Sequence, residues 1–329
     1  MMQATLRSTG RIAALCATLC LATEVAADWI GDARSKMGTS VEVQFWHEDA
    51  EEGARLLEAA MAEFDRIEAA MSTYSADSEI TRVNADAAFG PMVISEDLYE
   101  VVAQSLEVSR LSDGAFDITY ESVGHLYALR DRVRPDDAAI AEKLPAIDHR
   151  HVVLDHDART IAFTVPGVRI NVGGIAKGWA CERVVDLLRD AGVEHALVSA
   201  GGDTRLLGDR RGQPWLVGIR DPDDAAGVVT RLALVDEAIS TSGDYERYFD
   251  EDGVRYHHIL DPATGRPTEG IRSVTVIGPD GTITDALSTT LFVLGPERGM
   301  ALLDDLPAYD AVFIEAGHVV RLSSGLASR

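Results

Sequence analysis

The sequence predicts an α+β fold with largely antiparallel sheets flanked by helices. Residues 39–46 alternate apolar and polar side chains, which is the pattern of a strand with one buried face. Residues 51–71 instead repeat apolar side chains three and four positions apart, as on an amphipathic helix. Three strand-like segments, 196–199, 215–220 and 228–234, then follow one another with no helical segment between them. Clustered strands favour an α+β arrangement over a doubly wound sheet, in which strands and helices alternate.

The other elements follow from local signals along the chain. Ser95 is a good N-cap and begins a predicted helix that ends near residue 109. Gly173-Gly174 opens a helix that ends near residue 191, and a further helix begins near Asp285. A charged helical insert is predicted over residues 134–143. The remaining strands are predicted at residues 151–154, 160–165, 168–171, 253–260 and 273–278, with a final hairpin at 311–315 and 319–322.

The first 27 residues are typical of a secretory signal peptide. Arg7 and Arg11 precede an apolar core at residues 12–22, and the small residues before position 28 suit a signal peptidase. This core of about 11 residues is shorter than the roughly 20 that a helix needs to cross a bilayer. We therefore predict cleavage after Ala27, export to the periplasm and a single domain over residues 28–329. A segment retained in the inner membrane as an anchor is the alternative.

Charge and cysteine content exclude some classes of partner and of stabilisation. The formal net charge is −24, and so acidic a surface repels the phosphates of nucleic acid, which we exclude as a partner. The same charge predicts that any site for an anionic nucleotide needs a local device, such as a metal ion or a helix N-terminus. Once the signal segment is removed, Cys181 is the one cysteine left, so no internal disulfide is expected.

A glycine-bearing turn runs from Asn171 to Gly178 and places Lys177 in the first turn of a predicted helix. Glycines allow backbone N–H groups to approach an anion, and a helix N-terminus adds partial positive charge. The spacing matches neither a Walker loop nor a GxGxxG fingerprint. Glycines at such a junction more often only form a tight turn. Phosphate binding and a purely structural turn both remain open from this motif.

Asp285 and Thr289 are four residues apart, so on a helix both oxygens lie on one face. A carboxylate and a hydroxyl, together with backbone carbonyls, form a hard-oxygen set that suits Mg²⁺ and not zinc. The alternative makes Asp285 a helix cap and Thr289 an ordinary surface residue. The pair is therefore a candidate magnesium site.

His257 and His258 follow a predicted strand, where alternation sends them to opposite faces. One of them at most is therefore expected to enter a given site. A histidine beside a phosphate suits a general base, and the alternative is a structural histidine. Tyr74 and Phe116 stand in polar loops and either contact a planar ring or simply pack on the core.

Taken together and in order, these segments resemble the ApbE family of FAD:protein FMN transferases from about residue 37 to 295. Several blocks in one order are far more specific than any single block. The matching blocks are MGT (37–39), STY (72–74), DSEITRVN (77–84), DGAFDIT (113–119), GGIAKG (173–178), AGGD (200–203), STSGDY (240–245), HILDP (258–262) and DALST (285–289).

The resemblance implies a T-fold-like architecture that binds FAD in a cleft beside Mg²⁺. It implies that His258 is the general base and that Asp285 is essential to catalysis. The implied metal ligands are the carbonyl oxygens of Gly174 and Ser288 and the side chains of Asp285 and Thr289. The implied FAD contacts are Met37, Tyr74, Ala115, Phe116, Asp117, Asn171, Lys177 and Ile259.

The function that the resemblance implies is transfer of FMN from FAD to a Thr or Ser hydroxyl of another protein, with release of AMP. The implied acceptors are extracytoplasmic flavoprotein subunits of membrane redox complexes. Hydrolysis of FAD to FMN and AMP would use the same residues and remains an alternative. A protein that only binds FAD needs neither base nor metal, so the presence of His258, Asp285 and Thr289 argues against that class.

The chain departs from the family pattern at three places. Asn171 stands where many members have Asp, which removes a charge near the nucleotide. Glu182 replaces a frequent Asp in the following helix. Residues 120–127 lack the usual Pro and Trp, so the rim of the cleft is expected to differ.

Overall fold

The computed structural model describes residues 28–224 and 227–327. The predicted signal peptide, residues 1–27, therefore lies outside the described residues. Within the described ranges, no helix combines the length and the apolar character needed to cross a bilayer.

The elements of the described residues are numbered in chain order. The strands are β1 (Asp28–Lys36), β2 (Thr39–His47), β3 (Met92–Val93), β4 (Val152–Asp155), β5 (Thr160–Phe163), β6 (Ala196–Ala200), β7 (Asp203–Leu207), β8 (Trp215–Arg220), β9 (Val228–Leu234), β10 (Ala238–Gly243), β11 (Tyr248–Glu251), β12 (Val254–His257), β13 (Leu260–Asp261), β14 (Arg266–Pro267), β15 (Ile271–Gly278), β16 (Asp310–Glu315) and β17 (Val319–Leu322). The α-helices are α1 (Ala50–Met71), α2 (Glu79–Asp86), α3 (Glu96–Leu111), α4 (Glu121–Gly124), α5 (Asp137–Lys143), α6 (Ala176–Asp190), α7 (Gly281–Asp304) and α8 (Ser324–Ala327). Short 3₁₀ turns lie at Ile118–Tyr120, Leu129–Asp131, Leu144–Ala146 and His149–His151.

The main sheet contains eight of the described strands, in the order β1-β2-β6-β7-β10-β15-β16-β17. Every neighbouring pair in it is antiparallel. Smaller antiparallel sheets are formed by β3-β5-β4, β8-β9, β11-β12 and β13-β14. The predicted α+β class with largely antiparallel sheets is confirmed.

Side-chain alternation gives the main sheet two different faces. On β15, Val274 and Val276 pack with Leu287 and Phe292 of α7, whereas Ile277 lies in a separate cluster with the β8–β9 hairpin. Helices α6 and α7 pack against each other, and both pack against the main sheet. This helical layer carries the candidate site residues 174–178 and 285–289.

Several predicted elements are confirmed because their local signals are strong. The predicted strand at 39–46 and helix at 51–71 correspond to β2 and α1 within one residue at each end. Ser95 caps α3 as predicted, since its Oγ accepts a hydrogen bond from Leu98 N at 3.3 Å. The final hairpin corresponds to β16 and β17.

The predicted strand at residues 168–171 is wrong. This segment has no neighbouring strand in the described structure; instead, the Asn84 side chain takes the place of one. Its Oδ1 accepts from Ile170 N at 2.7 Å, and its Nδ2 donates to Ile170 O at 2.9 Å. Ile170 is fully buried. One side-chain amide therefore satisfies both backbone groups just before the glycine turn of the candidate site.

Replacing Asn84 with Ala is expected to lower the free energy of unfolding by about 1–3 kcal/mol, because a buried N–H and a buried C=O lose their partners. Urea unfolding measures the change. Asp86→Ala, at an exposed position of the same helix, is the matched control and should have little effect. Equal midpoints for Asn84→Ala and the control would show that the amide does not support this segment.

Other predicted boundaries are corrected by capping and by strand pairing. α7 begins at Gly281 and not near Asp285, because Asp280 Oδ1 accepts from Ile283 N at 2.9 Å and caps the helix. The predicted strand at 253–260 divides, because β12 pairs with β11 whereas residues from Leu260 pair with β14. α6 begins at Ala176, two residues after Gly174. The sequence pattern does not predict α2, β7 and β10, and β10 contains the polar run 240–242 in place of alternating apolar residues.

Candidate active site

The turn before α6 touches the middle of α7. A Cβ added at Gly174 would lie 3.3 Å from Thr289 Oγ1 and 3.3 Å from Phe116 Cε2. The first turn of α6 is equally close to α7, since a Cβ at Gly178 would overlap the carbonyl oxygen of Gly281. Glycines at 174 and 178 thus allow two chain segments more than 100 residues apart to meet, as the predicted metal site requires.

Asp285 is buried where these two helices meet. The residue is 2% exposed, and its Oδ2 accepts a hydrogen bond from Gly178 N at 3.0 Å. Thr289 lies one helical turn further along α7. The helix-cap alternative for Asp285 is wrong, because Asp280 holds the cap position and Asp285 lies inside the helix.

Ser242 of β10 links the hydroxyls of α7. Its Oγ lies 2.8 Å from Ser288 Oγ and 3.1 Å from Thr289 Oγ1. Ser288 Oγ in turn donates to the carbonyl oxygen of Asp285 at 2.8 Å. Sequence reasoning gave Ser242 no role, although it stands in the block 240–245. The Thr289 hydroxyl therefore lies between Ser242 and the Gly174 turn.

Lys177 lies between two buried carboxylates. Its Nζ donates to Asp203 Oδ2 and is 3.7 Å from Asp285 Oδ1. Burial alone lowers the pKa of Lys177, but the charges of Asp203 and Asp285 outweigh it and raise that pKa. Burial, and then the charge of Asp203, raise the pKa of Asp285. The second oxygen of Asp203, Oδ1, is buried and has no hydrogen-bond partner in the described part of the chain.

This arrangement fits a divalent cation that prefers oxygen ligands. Two carboxylates face one ammonium, and buried charges are costly unless they are paired, so the second carboxylate needs either a proton or a further cation. The Asp285 carboxylate, which accepts from Gly178 N, and the Thr289 hydroxyl, which lies beside Gly174, are oxygen groups of the kind that Mg²⁺ requires. Asp203 also belongs to this site; it ends the AGGD block (200–203), but the sequence pattern does not indicate its role.

The two histidines have different surroundings. His257 is buried, its Nε2 donates to Thr268 O at 2.9 Å, and its ring meets Phe292 edge-on. His258 N donates to Arg247 O at 3.2 Å, while its Nδ1 is buried with no partner among the described residues. Burial, and then the charge of Arg247, lower the pKa of His258 to about 3. His257 is therefore structural, and the His258 ring is neutral at ordinary pH with an Nδ1 that makes no hydrogen bond among the described residues.

Acidification is expected to destabilise the protein through His258. In the unfolded chain His258 is protonated below its ordinary pKa of 6.5. In the folded protein the imidazole stays neutral until the pH approaches its lowered pKa of about 3. The stability from burying the neutral ring is therefore complete above pH 6.5 and is lost as the pH falls toward 3. Urea unfolding should show that wild type loses about 2–3 kcal/mol more than His258→Gln between pH 7 and pH 4. His156→Gln, at an exposed ring, is the control, and an equal loss in wild type and His258→Gln would contradict this prediction.

The predicted aromatic contacts have different surroundings. Tyr74 is 81% exposed, and its hydroxyl accepts from Arg247 Nη1 at 3.4 Å. Arg247 therefore connects the Tyr74 loop to the backbone of His258. Phe116 and Ala115 are buried, and Phe116 lies against Gly174. The exposed ring of Tyr74 is available for stacking on a planar ligand.

Three other residues that were predicted to contact FAD make hydrogen bonds or packing contacts within the protein. Asp117 accepts from Thr119 N at 2.8 Å and from His149 N at 2.7 Å. Ile259 is buried in the core beside α7, and Met37 N donates to Glu68 Oε2 at 2.7 Å in the β1–β2 turn. The structure thus gives these residues supporting positions, and their contacts with FAD stay predictions.

Comparison with known proteins shows the family of this chain. The sequence profile of the ApbE family matches residues 37–313. The chain belongs to the ApbE family. The FAD:protein FMN transferase of Vibrio cholerae is 34% identical over 278 residues, which cover 82% of each chain. The FAD:protein FMN transferase of Treponema pallidum is 36% identical over 294 residues, which cover 83% of this chain and 80% of the relative.

Solved ApbE structures share the fold. The crystal structure of the ApbE protein from Thermotoga maritima superimposes with a TM-score of 0.85 at 32% identity. The match covers 92% of this chain and 99% of the Thermotoga chain. The resemblance found in the sequence is therefore confirmed, and with it the ApbE architecture.

The structure compensates for Asn171, which departs from the ApbE pattern. Its Nδ2 donates to Glu121 Oε2 at 3.1 Å, and its Oδ1 accepts from Gly173 N at 2.8 Å. Glu121 is buried, and burial raises the pKa of its carboxyl. A carboxyl group is therefore present one hydrogen bond away from the position where many ApbE proteins have Asp.

Glu182, the second departure from the ApbE pattern, joins the two helices of the site. Its Oε1 accepts from Gly281 N at 2.5 Å and from Arg205 Nε at 2.8 Å. Burial raises the pKa of this carboxyl. Glu182 therefore ties α6 to the first turn of α7, which supports the relative placement of Lys177 and Asp285.

Proposed function

We propose that this protein transfers FMN from FAD to a Thr or Ser hydroxyl of an acceptor flavoprotein and uses Mg²⁺ to do so. The observation that carries the proposal is that Gly174 lies against Thr289 and Gly178 against Asp285, with Lys177 beside that carboxylate. Oxygen atoms from two distant stretches of chain converge there with a lysine and a helix N-terminus. The relatives named FAD:protein FMN transferase support the same reaction.

The residues that would hold Mg²⁺ are the carbonyl groups of Gly174 and Ser288 and the side chains of Asp285 and Thr289. When bound, the cation withdraws charge from the phosphoryl oxygens and neutralises charge that develops during displacement. Ser242 keeps the Thr289 hydroxyl in place through its short contact.

The dinucleotide binds with its diphosphate toward the beginning of α6. Lys177 supplies positive charge there, and the backbone N–H groups of the first helical turn add the positive end of the helix dipole. These groups are the local device that an acidic protein needs to bind an anion. The exposed ring of Tyr74 stacks on the isoalloxazine.

His258 starts the transfer step by accepting the proton of the acceptor hydroxyl. The freed oxygen attacks the phosphorus on the FMN side of the diphosphate, and a new P–O bond forms. The bond from this phosphorus to the bridging oxygen breaks, and AMP leaves with that oxygen. FMN remains on the acceptor as a phosphoester, and the proton on His258 returns to solvent.

The proposed location is the periplasm, and the proposed acceptors are extracytoplasmic flavoprotein subunits of membrane redox complexes. The signal-peptide pattern of residues 1–27 supports export. Attachment through an uncleaved segment to the inner membrane is the alternative form of this proposal.

Co-expression with a candidate acceptor, followed by mass spectrometry, tests the reaction. We expect the acceptor to gain one FMN on a Thr or Ser residue, and the purified proteins should release one AMP for each FMN transferred. EDTA should stop the reaction, and added Mg²⁺ should restore it. Free FMN in the same amount as AMP, with an unmodified acceptor, would instead show hydrolysis.

A further inference from the structure

The ion pair of Lys177 and Asp203 adjoins the proposed metal ligand Asp285 but is separate from the ligand set. Asp203 is 1% exposed at the beginning of β7, and Lys177 Nζ donates to its Oδ2. The same Nζ is 3.7 Å from Asp285 Oδ1. One ammonium therefore serves two buried carboxylates at once.

A divalent cation bound at Asp285 would compete with this ammonium for the Asp285 carboxylate. Two positive charges a few ångströms apart repel strongly where water is excluded. Cation binding at Asp285 is therefore easier when the ammonium has another partner. Asp203 is that partner, since Lys177 Nζ donates to its Oδ2, and its buried Oδ1 has no other hydrogen-bond partner among the described residues.

We propose that Lys177 competes with the divalent cation for Asp285, and that Asp203 relieves this competition by holding the ammonium. Asp203 is on this account a positioning residue and not a metal ligand. The inference rests on the metal site of the proposed function and adds a determinant of its affinity.

Charge-removing variants give predictions of opposite sign. Asp203→Asn leaves Lys177 to pair with Asp285 alone, so cation affinity should fall by about 10–100-fold, the usual effect of losing an outer partner of a metal ligand. Lys177→Met removes the competitor, so cation affinity should rise. In the double variant there is no lysine to hold, so affinity should recover at least to the wild-type value and approach that of Lys177→Met, as expected for coupled sites.

Mn²⁺ is the probe, because it accepts the same oxygen ligands as Mg²⁺ and its free form is detected by electron paramagnetic resonance. The titrations use the purified full chain without FAD, so that the role of Lys177 in nucleotide binding does not enter. The thermal midpoint with and without Mn²⁺ gives a second measure of affinity. Glu107→Gln and Arg110→Met, which remove the same charges from an exposed pair on α3, are the matched controls.

The decisive comparison is between Asp203→Asn and the double variant, which remains informative if Lys177→Met alone fails to fold. Recovery of affinity on adding Lys177→Met to Asp203→Asn supports the proposal. A double variant that binds Mn²⁺ as weakly as Asp203→Asn overturns it and makes Asp203 a ligand. Wild-type affinity in Asp203→Asn also overturns it, whereas a wild-type protein that takes up no Mn²⁺ refutes the metal site of the proposed function itself.

Discussion

Asp285→Ala is expected to abolish FMN transfer, with a loss of at least about 10³-fold. Asp285 supplies the charged oxygen of the proposed metal site, and it is buried beside Lys177 at the junction of α6 and α7. Its removal takes away the charge that attracts the cation and leaves the ammonium to Asp203 alone. AMP release and acceptor labelling at saturating FAD and Mg²⁺ measure the effect.

A companion variant separates loss of the metal from loss of the fold. Asp285 Oδ2 accepts from Gly178 N, so alanine also leaves a buried N–H without a partner, which costs about 1–3 kcal/mol. Asp285→Asn keeps an oxygen acceptor and removes only the charge, and it should be inactive while remaining folded. Asp304→Ala, at the exposed end of the same helix, is the control. Normal transfer by a folded Asp285→Asn protein would refute the role of this carboxylate.

His258→Ala is expected to reduce the rate of FMN transfer by about 10²–10⁴-fold without weakening FAD binding. The ring is neutral, and its buried Nδ1 has no partner among the described residues, so its loss removes a proton acceptor and breaks no side-chain hydrogen bond from that nitrogen. Single-turnover labelling of the acceptor gives the rate, and flavin fluorescence gives the affinity for FAD.

The lowered pKa of His258 also predicts how the rate of FMN transfer depends on pH. Because the pKa of His258 is lowered to about 3, the base stays unprotonated from pH 8 down to pH 5. Protonation of this ring should therefore not reduce the wild-type rate over that range. His156→Ala, at an exposed histidine in the β4–β5 turn, is the control. If His258→Ala transferred FMN at the wild-type rate, another group would have to be the base.

Local patterns predicted the elements whose signals lie within a few residues. The helix α3 could be located from Ser95, because an N-cap hydrogen bond spans three residues. The strand predicted at 168–171 is wrong for the opposite reason. Its partner is the side chain of Asn84, which lies 86 positions from Ile170 and leaves no periodic trace in the sequence.

The sequence likewise indicates some residues of the candidate site and not others. The proposed metal and base positions come from ordered motifs that resemble those of the ApbE family. Asp203 and Ser242 could not be given roles, because they act through contacts with Lys177 and Thr289 on other elements. β7 and β10, which carry them, also lack the alternating pattern of a half-buried strand.

The amino-acid sequence by itself determined the α+β class, the family resemblance and the residue types available for chemistry, because periodicity and motif order are properties of the chain alone. The tertiary structure decided which charged side chains lie next to one another. The hydrogen bond from Gly178 N to Asp285 Oδ2 joins residues 107 positions apart. Such a contact depends on close packing of two helices at glycines, and packing across that separation is set only when the whole core is formed.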